Sequence, residues 1–306
     1  MDESNFLVDG TPEALEEQLL PAVDISSVMN EGDIEKVNEL AFELYKEAVS
    51  FVNLASHLLD QDAAANGGLH RNQAICAGLL VRICKFMIVV TQLSSGGNRA
   101  EIVAALNRSI LETAINLEFL VTTVDDTYFD KFVILGLGPE RELYDSIQEN
   151  IAARGGDILP IEVRMLSSID DVCRISGVKI ENVERKHKDW AGNVRARLQA
   201  VGKEKQYTAM MRLPSHAVHG SWVDLYKNHL ETNKKTGLFS PKSTFSEVDE
   251  RLLGPIAFLV LDATAPYLLR YFSDMHETKL LLTRMADLVN RIIVVGEAHE
   301  RLFSAN

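Results

Sequence analysis

The sequence predicts an all-α fold, a large bundle of about eight to ten helices with long antiparallel helix hairpins. Three observations carry this expectation. Apolar residues recur every third or fourth position over long stretches. The breaks between those stretches collect the glycines, prolines and capping residues. No run alternates apolar and polar residues for long enough to make a convincing strand.

The elements follow in order. Residues 1–30 read as an arm with one short helix, opened by Thr11-Pro12-Glu13: a cap, a proline at the first helical position and an acid in the first turn. From 31 to 62, Ile34, Val37, Leu40, Ala41, Leu44, Ala48, Phe51, Val52 and Leu59 mark a long amphipathic helix. AAANGG (63–68) is expected to break it. A second long helix over 70–93 is apolar on nearly every side, which predicts burial and a helical hairpin with the first. Asn98 is placed to cap a third helix reaching 124. A fourth starts at Asp125-Asp126, is interrupted by GLGPE (136–140) and resumes at Pro139 as far as 153. Pro160 opens a helix that Gly177 ends. A helix is expected over 206–228, a surface loop over 233–244, and two closing helices over 247–273 and 276–303. Residues 31–306 thus read as a single bundle domain behind the arm.

Composition narrows the classes. The net charge of −13 opposes non-specific adhesion to nucleic acid or an anionic membrane. The N-terminus begins with acids and lacks the basic and apolar regions of a signal peptide. The apolar run 79–90 contains Arg82 and Lys85, and 252–269 contains Asp262, Pro255 and Pro266. A membrane span needs ~20 clean apolar residues, so both read as core helices, with no membrane partner. Cys76, Cys84 and Cys173 cannot all pair with one another and form no metal knuckle. Together these features predict a cytoplasmic protein in a reducing compartment.

Two constellations invite chemistry. Arg108 and Glu112 stand one helical turn apart among Leu111, Ile115 and Phe119. Such a pair is expected to be buried, either as a strut that fixes helix register or as a grip on an anionic ligand. In YTAMMRLPSHAVHGSW (207–222), a helix would place Arg212, Ser215, His216 and His219 on one stripe. Imidazoles exchange protons near neutral pH, and a guanidinium grips phosphate. Satisfied polar groups along a helix interface fit the same stripe. Pro214 either kinks that helix or starts it. His216 and His219 lack a third ligand at a diagnostic spacing, so no metal and no cofactor is expected. The stretch 178–206 carries Lys179, Arg185, Lys186, Lys188, Arg195, Arg197, Lys203 and Lys205 around Trp190, a phosphate-facing surface or simply a solvated face. Phosphate loops, dinucleotide fingerprints, nucleophile elbows and zinc-protease motifs are absent from the sequence.

The runs RSILETAINLEFLV (108–121), Trp190, Y-x6-P-S-x3-HGSW-x-DL (207–225), NHLE (228–231) and GLFSP (237–241) together resemble the bacterial helical family called domain of unknown function 5677. The resemblance covers about residues 40–300. It implies that Arg108, Glu112, Tyr207, Ser215 and His219 matter, and it carries no established reaction. The chain departs from the pattern at Met211-Arg212, where the family shows Tyr-Arg, and at Pro214. A more distant likeness is to the helical HEPN group (higher eukaryotes and prokaryotes nucleotide-binding), many of whose members are metal-independent ribonucleases with four to six residues between an Arg and a His. Arg212 and His219 have six residues between them.

Two functions follow as expectations. One is a HEPN-like endoribonuclease in a toxin or antiphage setting, forming its site across a homodimer. His219, Arg212, Ser215 and His216 would then be catalytic, with Arg108, Glu112 and Tyr207 binding RNA or another phosphate-containing ligand. The other is a non-catalytic module that binds a protein partner or small ligand, its polar residues forming a buried network.

Overall fold

The structure, a computed structural model, describes residues 19–29, 33–59, 61–97, 99–185 and 189–304. The expected start at Thr11 and the Asn98 cap lie outside them. The described residues are all-α apart from one short hairpin, and they form two compact units. One comprises the chain up to Thr122 and from Val201 onward; the other is Thr123–Ala200.

The first unit begins with α1 (Ile34–His57), α2 (Gln61–Asn66), α3 (Arg71–Ser94) and α4 (Ala100–Thr122). Asp33 caps α1 by accepting from the Glu35 N–H at 3.0 Å. The chain turns at Leu58 rather than at AAANGG, since alanines extend a helix and QDAAAN forms α2. In α3 only one face is buried, through Cys76, Leu80, Ile83, Cys84, Met87 and Val90, while Ile88 and Val89 are 39% exposed. The helix enclosed on most sides is α4, buried from Ile110 through Val121 except at Glu112 and Asn116.

The second unit holds α5 (Thr127–Gly136), α6 (Gly138–Ala153), α7 (Pro160–Ser176) and α8 (Val194–Ala200). Pro160 starts α7 as expected, and the Glu162 carboxylate accepts from the Leu159 N–H at 2.9 Å. Gly177 ends it at φ 69°, a left-handed conformation that costs glycine little. Ile147, Ile169 and Cys173 form the core between α6 and α7.

The chain then returns to the first unit. It continues through α9 (Ser215–His219), α10 (Trp222–Asp224), the strands β1 (Leu230–Thr232) and β2 (Phe239–Pro241), and α11 (Leu253–Phe272) and α12 (His276–Ser304). The strands pair antiparallel, with Leu230 opposite Pro241 and Thr232 opposite Phe239, so the expected surface loop is partly a hairpin. Helix α11 packs on α4 and α1, and α12 packs on α1 and α11.

Two helices, α3 and the stretch 250–272 containing α11, are long and apolar enough to cross a membrane by length and composition. The apolar run 79–90 is only part of α3, which has 24 residues. Here the inward faces of both helices are packed on α1 and α4.

Two polar links cross the first unit. Arg291 on α12 grips Glu47 on α1 through two parallel hydrogen bonds of 2.6 Å, both side chains being nearly buried. Lys203 reaches Glu118 on α4 at 2.6 Å and Asp262 on α11 at 2.5 Å. Cys76, Cys84 and Cys173 are free and buried, and burial pushes the Cys76 and Cys84 thiols up to about 11.

Candidate functional site

The segment 207–248 is tied to α4 at two places. Near its start, Arg108 donates from Nε to the Ser215 hydroxyl at 3.3 Å and from Nη1 to Glu112 at 2.7 Å. The Ser215 hydroxyl in turn donates to the Met211 carbonyl at 2.5 Å. Near its end, the Ala100 N–H donates to the Ser246 carbonyl and the Val248 N–H to the Gly97 carbonyl, at 3.1 and 2.8 Å. The Glu101 carboxylate accepts from the Ser246 N–H at 3.0 Å. Burial alone would raise the Glu101 pKa; the backbone hydrogen bonds and the charge of His229 outweigh it and hold the group below the usual carboxylate range.

Between these ties the single helix expected over 206–228 is absent. A π-helical turn runs from Thr208 to Arg212, residues 213–214 form a turn, and α9 starts at Ser215 with Pro214 as its cap at φ −65°. Proline has no N–H to continue the preceding ladder, so Pro214 starts the histidine-bearing helix rather than kinking a longer one. Gly220, at φ 56°, ends α9 after His219. A second π-helical turn, Leu225–His229, follows α10. It is braced by Asp224, which is buried, accepts from Asn228 at 2.9 Å and lies 3.4 Å from His229 Nε2. The expected stripe is therefore divided, with Arg212 in a π turn and Ser215, His216 and His219 in a separate short helix.

The predicted residues accordingly take different places. Arg108, Glu112 and Ser215 are joined directly. Glu112 is 41% exposed against 16% for Arg108, so the pair is half-exposed rather than buried as expected, because α9 covers the arginine and leaves the acid at the rim. The hydroxyl proton of Ser215 is committed to Met211. His216 Nδ1 and the Ser221 hydroxyl share a hydrogen bond of 2.6 Å that closes the turn after Gly220. Tyr207 is half-buried at the start of the first π turn. Arg212 and His219 are exposed, and neither has a hydrogen-bond or ion-pair partner among the described residues.

Three cations of the basic window 178–206 are engaged within their own units rather than free. Arg197 is 4% exposed, stacks 5.1 Å from the Trp190 ring and donates to the Gly192 carbonyl at 2.6 Å. Arg185 pairs with Asp145 at 2.9 Å, and Lys203 is held by Glu118 and Asp262. Lys186 and Lys188 lie outside the described residues.

Two features were not anticipated from sequence. Trp222, Tyr226 and Phe239 meet on the surface, with ring centroids 5.6 to 6.4 Å apart. The i, i+4 spacing of Trp222 and Tyr226 is a signal that sequence does contain. Elsewhere in the first unit, α1, α11 and α12 line a largely apolar, half-open pocket of about 470 Å³, with Ala41, Leu44, Pro255, Phe258 and Ile292 in its walls. Asn38 also lines it and keeps a buried side-chain oxygen without a partner among the described residues. No group of three or more His, Cys, Asp or Glu among the described residues is arranged to hold a metal.

In comparisons with known proteins, the profile described as "Family of unknown function (DUF5677)" matches residues 73–236, a little over half of the chain. That span contains Arg108, Glu112, Tyr207 and the whole of α9. No curated protein and no solved structure matches.

Proposed function

The chain belongs to this family of unknown function, and from that premise we propose that the segment 207–245 is its working surface and acts on RNA as a HEPN-like, metal-independent endoribonuclease. The observation that carries the reading is the pair Arg212 and His219, exposed and unpartnered on a segment that Arg108 holds to α4. Polar groups left open on an otherwise tied segment are positioned for an external ligand.

In this reading the His219 imidazole accepts the proton of a ribose 2′-hydroxyl as that oxygen bonds to the adjacent phosphorus. The bond from phosphorus to the 5′-oxygen breaks, and the leaving oxygen takes a proton from water, whose hydroxide recovers one from the His219 imidazolium. The products are a 2′,3′-cyclic phosphate and a 5′-hydroxyl. Arg212 stabilises the charge on the pentacoordinate phosphorus. Arg108, Glu112 and Ser215 position α9, His216 steadies the turn beyond it, and Tyr207 borders the substrate. A second copy of the chain supplies the facing half of the site, and the cytoplasm supplies the RNA.

One observation favours the other reading, a non-catalytic binding module. Ser215 has its proton engaged by Met211, and Arg108 has its charge engaged by Glu112, as in a structural network. End-labelled RNA incubated in excess chelator separates the two. Cleavage to cyclic-phosphate ends, reduced roughly 10²–10⁴-fold in His219→Ala and strongly in Arg212→Ala, supports the nuclease. Undiminished cleavage by His219→Ala sinks it. No cleavage by the wild type leaves the module.

A further inference from the structure

Trp222, Tyr226 and Phe239 are 59%, 49% and 49% exposed, although large aromatic side chains normally bury most of their surface. Trp222 and Tyr226 are inclined by only 32°, and Phe239 stands edge-on to both. Leu213, Val218 and Leu238, on the same segment, are also exposed. Contiguous exposed apolar surface of the kind the three rings form marks interaction sites.

The charges of the segment identify its partner. Residues 207–245 carry Arg212, Lys227, Lys234, Lys235 and Lys242 against two acids, Asp224 and Glu231, within a chain of net charge −13. Asp224 is buried and engaged internally. Lys227 follows Tyr226 directly in the braced π turn. Lys234 and Lys235 occupy the hairpin tip, whose turn is set by Asn233 accepting from the Lys235 and Thr236 N–H groups at 2.9 and 3.3 Å. Phe239 opens the returning strand opposite Thr232, and Lys242 follows that strand, its N–H bonded to the His229 carbonyl at 2.8 Å. The hairpin thus brings Phe239 against Trp222 and Tyr226 from a distant position, with Lys234 and Lys235 at its tip and Lys242 just after its second strand. A protein–protein interface core is depleted in lysine, whereas aromatic rings interleaved with cations are how unpaired nucleotides are held, bases on rings and phosphates on cations.

We propose that Trp222, Tyr226 and Phe239 form a stacking platform for the unpaired bases of single-stranded RNA, with Lys227, Lys234 and Lys235 engaging its phosphates. The proposal rests on the ribonuclease reading for its substrate and narrows that substrate to unpaired strand. Binding on the platform is separate from cleavage.

The test uses the full-length protein and a fluorescein-labelled 2′-O-methyl oligoribonucleotide of about 12 nucleotides, which lacks the attacking hydroxyl, within the site sizes of single-strand binders. Fluorescence anisotropy at low salt is expected to show binding that a duplex of the same sequence does not match. Trp222→Ala and Tyr226→Ala each weaken it roughly 5- to 150-fold, the range for loss of one stacked base. Trp222→Phe retains most of the affinity, and circular dichroism verifies that each variant is folded. Lys234→Ala with Lys235→Ala makes the salt dependence shallower by about 1.4 units in log–log slope.

Failure of the wild type to bind the probe overturns the platform, as does equal binding by Trp222→Ala. Self-association that Trp222→Ala abolishes, without oligonucleotide binding, overturns it in favour of a second copy on the patch. The ribonuclease reading fails separately: probe binding lost in Trp222→Ala, with no cleavage of the matching natural RNA, upholds the platform and removes the nuclease.

Discussion

Two of the arginine–glutamate pairs among the described residues, Arg291–Glu47 and Arg108–Glu112, differ in what surrounds them. Arg291 and Glu47 are 244 residues apart in sequence, meet through a two-pronged contact and are almost closed off from solvent, with Asp287 and the Val23 carbonyl completing the arginine's partners. Arg108 and Glu112 are neighbours on one helix and make a single short contact, with the acid 41% exposed. The first pair joins α1 to α12 and has no further hydrogen bonds to offer a ligand without breaking. The second holds α9 to α4 while its acid remains open to water. A similar chemical pair is therefore a strut in one place and a support for a surface segment in the other, and burial decides which.

This contrast can be broken or sharpened by mutation. The largest effect belongs to the strut: Glu47→Ala or Arg291→Ala leaves a buried charge unpaired and is expected to lower unfolding free energy by about 3–5 kcal/mol. Urea denaturation measures this. The double variant Glu47→Leu with Arg291→Met should recover most of the loss, since it leaves no buried charge.

Lys203→Met comes next, at about 2 kcal/mol, by removing charged hydrogen bonds to Glu118 and Asp262. Burial already holds the Glu118 pKa above the usual carboxylate range, against the pull of Lys203. A carboxyl raised in the folded state contributes stability that is present below its unfolded pKa and lost as pH rises through the folded one. Without Lys203 that folded value rises further. The deficit of Lys203→Met is therefore expected to be smaller near pH 4 than at pH 7 in paired thermal melts.

Arg108→Ala should cost about 1 kcal/mol, because water reaches Glu112 once the arginine is gone. A loss matching that of Arg291→Ala would erase the contrast between the pairs. Trp222→Ala should change stability by no more than about 0.5 kcal/mol, as expected of a solvated position. A large loss in its melting temperature would show the aromatic cluster to be core.

The contrast also explains what sequence could reveal. Helices α1, α3, α4, α6, α7, α11 and α12 were legible because a stable apolar face imposes a period of three to four residues on the chain itself. Pro139, Pro160 and Gly177 mark boundaries for local steric reasons that operate wherever they occur. The pair Arg108–Glu112 was visible because its members are one turn apart, but its exposure depends on α9, which arrives from over a hundred residues downstream. Glu47–Arg291 was invisible for the same reason, as a long-range pairing leaves no local pattern. The expected helix over 206–228 failed where Pro214 and two π turns divide it, and the hairpin strands are too short to show alternation. Lys203 and Arg197 looked like parts of a cationic surface, and the partners that engage them became apparent only with the chain folded.

The π turn at Leu225–His229 sets how this region can vary among relatives. Such a turn accommodates one more residue than the α turn it replaces. Deleting a single residue there would restore α geometry and swing the chain that follows by roughly 100°. Substitutions in the turn alter the aromatic patch by degrees, whereas a change of one residue in length would re-aim the hairpin, and Phe239 with it, in a single step. Chain length at this turn is thus a discrete evolutionary control on whether the three rings face one way.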